Sequence, residues 1–182
     1  MVTEIQTIAV IGAGYDGREI ASGALRAGYR TIIEDVSDSR LEQAIAWIAN
    51  VDADASSRLV LSRTVEEAVR EADLIIEAVA EEMEMKIEMF TIFDKFARPD
   101  AIFATSSRSV PIAELAAVTF CPERCIGMRF VSVAGHADAL ELLCTPDTSE
   151  ETVARCREVG RRMGKAVAVA AESVALPEIS QG

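Results

Sequence analysis

Apolar residues along this chain fall into two rhythms that take turns. Continuous apolar runs such as Ile8-Ala9-Val10-Ile11 and Leu74-Ile75-Ile76 show no polar alternation, the mark of strands buried on both faces of a sheet. Between them lie stretches whose apolar residues recur at helical spacing, such as Ile20, Ala21, Ala24 and Leu25, stopped by Gly28. The pattern predicts strands over 5–11, 30–35, 59–61, 73–79 and 101–105, and helices over 15–27, 39–50, 84–96 and from Thr64 to near Ala72. Pro111 opens a further helix, the run Cys125–Val131 leads into a loop through Gly135 and His136, and a strand follows near 139–144. A capped helix then runs from Thr148 to Met163, before the run Gly164–Val169. The small, polar segment Asn50–Ser57 reads as a loop, and Met85, Met89, Ile92, Phe93 and Phe96 as a core stripe. Alternating strands and helices imply an α/β protein with a doubly wound, mostly parallel sheet. One domain over residues 1–172 is expected, with an irregular tail over 173–182.

The turn after the first strand narrows this class. Gly12-Ala13-Gly14-Tyr15-Asp16-Gly17 has the GxGxxG spacing, with an apolar run before it and an amphipathic helix after it. Gly12 suits the tight turn, Gly14 lets backbone amides approach a pyrophosphate, and Gly17 lets the helix pack close to the strand. Eighteen residues past Gly17, the second strand ends in Asp35, where an acceptor for a ribose 2′-hydroxyl is expected. These features predict a Rossmann-type domain that binds NAD in preference to NADP. Asp16 is out of place beside phosphates: either it caps the helix or it weakens dinucleotide binding.

Composition removes other classes. The 182 residues are half apolar, enough for one good core, and 18 basic against 30 acidic residues give a net charge of −12. That balance argues against nucleic acid or an anionic membrane as partner, and for small molecules. No apolar run approaches a membrane span and no secretory leader is evident, so a soluble cytoplasmic protein is expected. Cys121, Cys125, Cys144 and Cys156 lack CxxC spacing, which suggests reduced thiols, and a single histidine, His136, excludes a multi-histidine metal site; no metal is expected.

Together these stretches resemble the NAD-binding domain of the 3-hydroxyacyl-CoA dehydrogenase family over nearly the whole chain. Ala72–Val79 with Glu81 and Lys86 is similar to that family's ADLVIEAV…E…K pattern, and Ala104–Ser109 to its ATNTSS loop. Pro122-Glu123-Arg124 with Ile126-Gly127-Met128 is similar to its PxRxIGMHFFNP stretch, and Gly164-Lys165 to its late GK. The resemblance implies hydride transfer between NAD and a 3-hydroxy or 3-keto acyl-type substrate, as in fatty acid metabolism. It nominates Gly12, Ala13, Gly14, Tyr15, Asp16, Gly17, Asp35, Glu81, Lys86, Ser106 and Ser132 as cofactor contacts, and Glu141, Arg129 and Arg108 as candidate catalytic residues.

The chain departs from the family at the chemistry. The family's proton-abstracting histidine falls at Arg129, the serine that holds the substrate oxygen at Arg108, and the asparagine near the nicotinamide at Ser132, while the orienting glutamate is kept as Glu141. A guanidinium cannot serve as that base. Two readings of the arginines stand: a bidentate clamp on a carboxylate or phosphate, or decay of an unused site. His136 is read either as a displaced base or as an exposed loop histidine. The stretch between Asp35 and Asp73 holds one helix and a short loop where the family has a helical hairpin that touches CoA. The family's all-helical domain, which completes the substrate site and the dimer, is not expected within these 182 residues. A diverged oxidoreductase is therefore one expectation; an NAD-binding module, acting as a homodimer or with a partner subunit, is the other.

Overall fold

A computed structural model describes residues 4–51, 57–133 and 136–172. In chain order the elements are β1 (Thr7–Ile11), α1 (Tyr15–Arg26), β2 (Arg30–Glu34), α2 (Asp38–Val51), β3 (Leu59–Ser62), α3 (Val65–Val69), β4 (Leu74–Glu77) and α4 (Met83–Phe96). There follow β5 (Ile102–Thr105), α5 (Ile112–Ala116), β6 (Cys125–Val133), β7 (His136–Cys144), α6 (Glu150–Arg162) and β8 (Ala166–Ala171). The described residues build one sheet in the order β3-β2-β1-β4-β5-β6-β7-β8. Strands β1 to β6 are parallel, β7 pairs antiparallel to β6, and β8 runs parallel to β7.

Continuous apolar runs become the central strands because both faces of the sheet are covered. Ile8, Val10, Ile33, Ile76 and Ile126 pack under α1, α2 and α6; Ala9, Ile11, Ile75 and Phe103 pack under α3, α4 and α5. The chain steps from β1 outward to β2, then returns to the other side of β1 as β4. In a doubly wound sheet, that reversal leaves a crevice at the carboxyl ends of β1 and β4, where ligands bind.

Three local expectations are corrected. The helix after Thr64 is only the five residues of α3, capped by the Thr64 hydroxyl, which accepts from the Glu67 amide. The α4 stripe holds in part: Phe93 is buried and Met89 and Phe96 pack against the same core, but Met85 is exposed and the other buried positions are Lys86 and Phe90, with Phe90, Phe93 and Phe103 packed ring against ring. The expected loop at His136 is instead the start of β7, where His136 pairs with Val133 across the hairpin, and a bulge shifts the register between Val131 and Val133. The predicted tail over 173–182 lies outside the described residues.

All four cysteines are free; Cys121, Cys125 and Cys156 are buried and Cys144 is half-buried. Burial pushes the Cys156 thiol up to about 12. Among the described residues, no helix is long and apolar enough to cross a membrane.

Gly17 sits where α1 meets the end of β1, and a Cβ there would collide with the Gly12 carbonyl oxygen. Gly17→Ala is therefore expected to lower the unfolding free energy by about 1–3 kcal/mol through overpacking, read as a lower urea midpoint at unchanged slope.

Candidate functional site

The chain reversals after β1, β2, β4 and β5 meet at one edge of the sheet. Gly12 has φ +104°, and a Cβ on it would lie 2.8 Å from the Ala78 carbonyl oxygen just past β4, so this turn requires glycine twice over. The Gly12 amide donates to the Glu34 carbonyl at 2.9 Å, and the Ala13 amide to Asp35 Oδ2 at 3.0 Å. Asp35 thus pins the glycine turn to the end of β2, and its other oxygen accepts from the Ser37 amide at 2.9 Å. Arg40, largely exposed, lies 3.5 Å from the same carboxylate.

Gly14 differs from its neighbours. Its φ of −67° is open to any residue, and a Cβ there would meet nothing within 4 Å. No contact within the chain explains a glycine at this position; clear space in front of the α1 N-terminus does. That helix start carries no side-chain cap, so its first amides and the helix dipole are available to an anion. Asp16 makes no capping bond, which removes one of the two roles expected of it. It lies in the first turn, exposed, next to Tyr15.

Beyond β4 the site is organised by buried charge. Glu77, fully buried, accepts from Lys86 Nζ at 2.7 Å and from the Val79 amide at 2.7 Å through Oε1, and from the Thr105 hydroxyl at 2.6 Å through Oε2. Lys86 is fully buried as well, and its ammonium also donates to the Val79 carbonyl. The Lys86 side chain therefore holds the loop after β4 from beneath and presents no surface to the cleft, unlike the role the family pattern suggested. Glu81, half-exposed above it, accepts from the Ser107 hydroxyl at 2.6 Å and the Ser109 hydroxyl at 2.8 Å. Burial pushes the Glu81 carboxyl up, but the two serine hydroxyls, then the Lys86 ammonium and the Arg108 amide, outweigh it and leave it below the ordinary carboxylate value.

Arg129 and Glu141 face each other across β6 and β7, as register partners with Nη1 3.9 Å from Oε2. Arg129 Nε donates to the Ser107 carbonyl at 3.1 Å and Nη2 to the Arg108 carbonyl at 3.3 Å. The guanidinium at the family's base position thus ties down the backbone of the serine loop. Arg108 does not join it: it lines a cleft of about 240 Å³ with Tyr15, Asp16, Ser106, Phe130 and Lys165, a lining that does not include Arg129. The side chains of Ser132 and His136 lie outside the described residues.

Sequence reasoning missed Glu34. Its side chain, 3% exposed, is pushed up to about 7, first by burial and then by the Asp35 and Glu66 carboxylates. A polar residue closing an otherwise apolar strand immediately before Asp35 was the available signal.

A profile for the 3-hydroxyacyl-CoA dehydrogenase NAD-binding domain matches residues 7–173. The chain belongs to this family. It is 37% identical over 176 residues to a probable 3-hydroxybutyryl-CoA dehydrogenase of Bacillus subtilis, covering 89% of this chain and 61% of that protein. With the 3-hydroxybutyryl-CoA dehydrogenase of Bradyrhizobium diazoefficiens it shares 34% identity over 182 residues, covering 93% of this chain and 62% of the relative. The chain thus spans about three fifths of the curated relatives it matches. Among solved structures, (S)-3-hydroxybutyryl-CoA dehydrogenase from Ralstonia eutropha superposes with a TM-score of 0.85 at 26% identity, over 93% of this chain and 65% of that one. The family's cofactor is NAD, and the open face at Gly14, the uncapped α1 start and the Asp35 carboxylate fit it.

Two measurements probe this charged edge. Lys86→Met leaves the Glu77 carboxylate buried without its cation and is expected to cost about 3–5 kcal/mol in urea unfolding. The Glu34 carboxyl holds its proton more tightly folded than unfolded, so stability is full below its ordinary value of 4.5 and is lost as pH rises through about 7. Between pH 4.5 and pH 8 this removes about 3 kcal/mol, a loss that Glu34→Gln should abolish in unfolding curves taken across that range.

Proposed function

We propose that this chain is the cofactor-binding part of an NAD-dependent oxidoreductase of the 3-hydroxyacyl-CoA dehydrogenase type, with a diverged substrate site. It would transfer hydride between NAD and a 3-hydroxy or 3-keto acyl-type substrate. The observation that carries this reading is the open glycine position at the α1 N-terminus, aligned with Asp35 on the edge where the serine loop and the β6–β7 pair also converge. When bound, NAD would supply the acceptor for a hydride from the hydroxyl-bearing carbon, with the hydroxyl proton leaving as the carbonyl forms.

The chain's own residues supply the frame for that exchange. Gly14 admits the pyrophosphate, the first amides of α1 receive its charge, and Asp35 accepts the adenosine ribose hydroxyls. Glu81, with the serine loop fixed on it and on Arg129, walls the far side. Arg129 polarises or orients but takes no proton, so the departing proton leaves to solvent or to a carboxylate such as Glu141.

A second reading has its own observation: both Arg129 bonds run to backbone carbonyls, which suits a structural tie as well as a catalytic group. In that case the chain is an NAD(H)-binding module, as a homodimer or with a partner subunit that completes a site.

Titration with NADH should give saturable heat, and millimolar NAD should raise the thermal midpoint. Gly14→Val, which the fold accommodates, should abolish both effects; an unchanged response would refute the cofactor assignment. Absorbance at 340 nm with 3-hydroxybutyryl-CoA and short 3-hydroxy acids then separates the readings. Turnover that falls on changing Arg129 supports the oxidoreductase, and NADH binding without turnover across the panel supports the module.

A further inference from the structure

Among the described residues four carboxyl groups are buried, those of Glu34, Asp35, Asp73 and Glu77. Three of them are answered by donors. Asp35 accepts from the Ala13 and Ser37 amides, Asp73 from the Gln6 and Thr7 amides and the Arg98 guanidinium, and Glu77 from Val79, Lys86 and Thr105. Glu34 is the exception. What acts on its carboxyl is burial, then the Asp35 and Glu66 carboxylates, and among the described residues no hydrogen-bond donor or cation offsets them.

Its surroundings explain the isolation. Alternation along β2 puts the Glu34 side chain on the face of Ile32, which packs under α3. Ile11 of β1 and Ser62 of β3 flank it in register, neither charged, and the first turn of α3 brings Glu66 and the exposed Glu67. The cations of the adjoining elements, Arg40 in α2 and Arg63 after β3, pair with Asp35 and Asp38 instead. The main chain of the same residue carries the glycine turn. Its carbonyl accepts from the Gly12 amide at 2.9 Å, and the next side chain, Asp35, accepts from the Ala13 amide at 3.0 Å. A protonated carboxyl is stable at this depth, whereas a carboxylate without donor or counter-charge is driven toward solvent. To reach it, Glu34 must carry the end of β2 outward, and with it the two acceptors that hold Gly12 and Ala13.

We propose that Glu34 is a positioning residue for the dinucleotide: its protonated carboxyl keeps the glycine turn set for binding, and loss of that proton opens the turn and weakens binding. This rests on the cofactor site proposed above. The carboxyl is pushed up to about 7, so the change of state falls in the neutral range. Because the protonated form is the one that binds, affinity is level below that value and declines above it, and each binding event takes up a proton from solvent that release returns.

Calorimetric titration of the full chain with NADH between pH 6 and pH 8.5 tests this, with far-UV circular dichroism confirming the fold at each pH. Affinity should fall about tenfold across that range, and at pH 7.5 the binding heat should vary with the ionisation enthalpy of the buffer, reporting uptake of a fraction of a proton. Glu34→Gln, similar in shape and without charge, should flatten the profile to less than about twofold. An affinity that does not change with pH in the unaltered chain, a decline of the same size in Glu34→Gln, or a binding heat independent of buffer would each overturn the proposal. The buffer comparison needs no variant, so it decides the matter even where Glu34→Gln fails to fold. Binding of NADH without proton linkage removes only the role of Glu34, whereas no binding at any pH removes the cofactor site and this proposal with it.

Discussion

The Glu77 carboxylate is the constraint on which the working edge of this protein depends. One oxygen takes the Lys86 ammonium and the Val79 amide, the other the Thr105 hydroxyl, so α4, the loop after β4 and the end of β5 are all fixed from a single buried point. A charge so placed is stable only while every lone pair is answered, because its desolvation is costly and the compensating bonds are few. The pair's net contribution to stability is modest by the same reasoning. Its contribution to geometry is large, since the alternatives to this arrangement each leave an ion unpartnered in the core.

From that anchor the surface layer follows. Lys86 supports Glu81, Glu81 receives Ser107 and Ser109, and Arg129 holds the same loop by its carbonyls from the opposite side. The serine loop is thus held by an acid from the loop after β4 and by a cation from the middle of β6. The glycine turn is fixed independently, by Asp35 through the Ala13 amide and by contact of Gly12 with the β4 exit. Two separately secured loops at one sheet edge leave the proposed cofactor site preorganised, with little left to be ordered on binding.

Much of this was legible in the sequence. Unbroken apolar runs placed the parallel strands, and the glycine spacing with Asp35 placed the tight turn between β1 and α1, because both depend on local rules: burial of strand faces and close backbone approach. What escaped were properties of three-dimensional neighbourhood. That Phe90 rather than Met85 faces the core depends on the rotation of α4 against the sheet, which a stripe of several large apolar residues leaves undetermined. That Lys86 is buried depends on an acid on another element, and that Arg108 and Arg129 part company depends on which side of the serine loop each approaches. The start of β7 at His136 was hidden because a bulged hairpin needs no turn signature of its own.

The sulfur chemistry of the fold has a practical consequence. Three of the four thiols are buried while the core is closed, and the fourth, Cys144, is partly covered and held above its ordinary value by burial. A thiol-specific alkylating reagent therefore meets a native molecule that is nearly inert and an opened one with four reactive sulfurs. The chain carries, without any added label, a chemical clock for its own breathing.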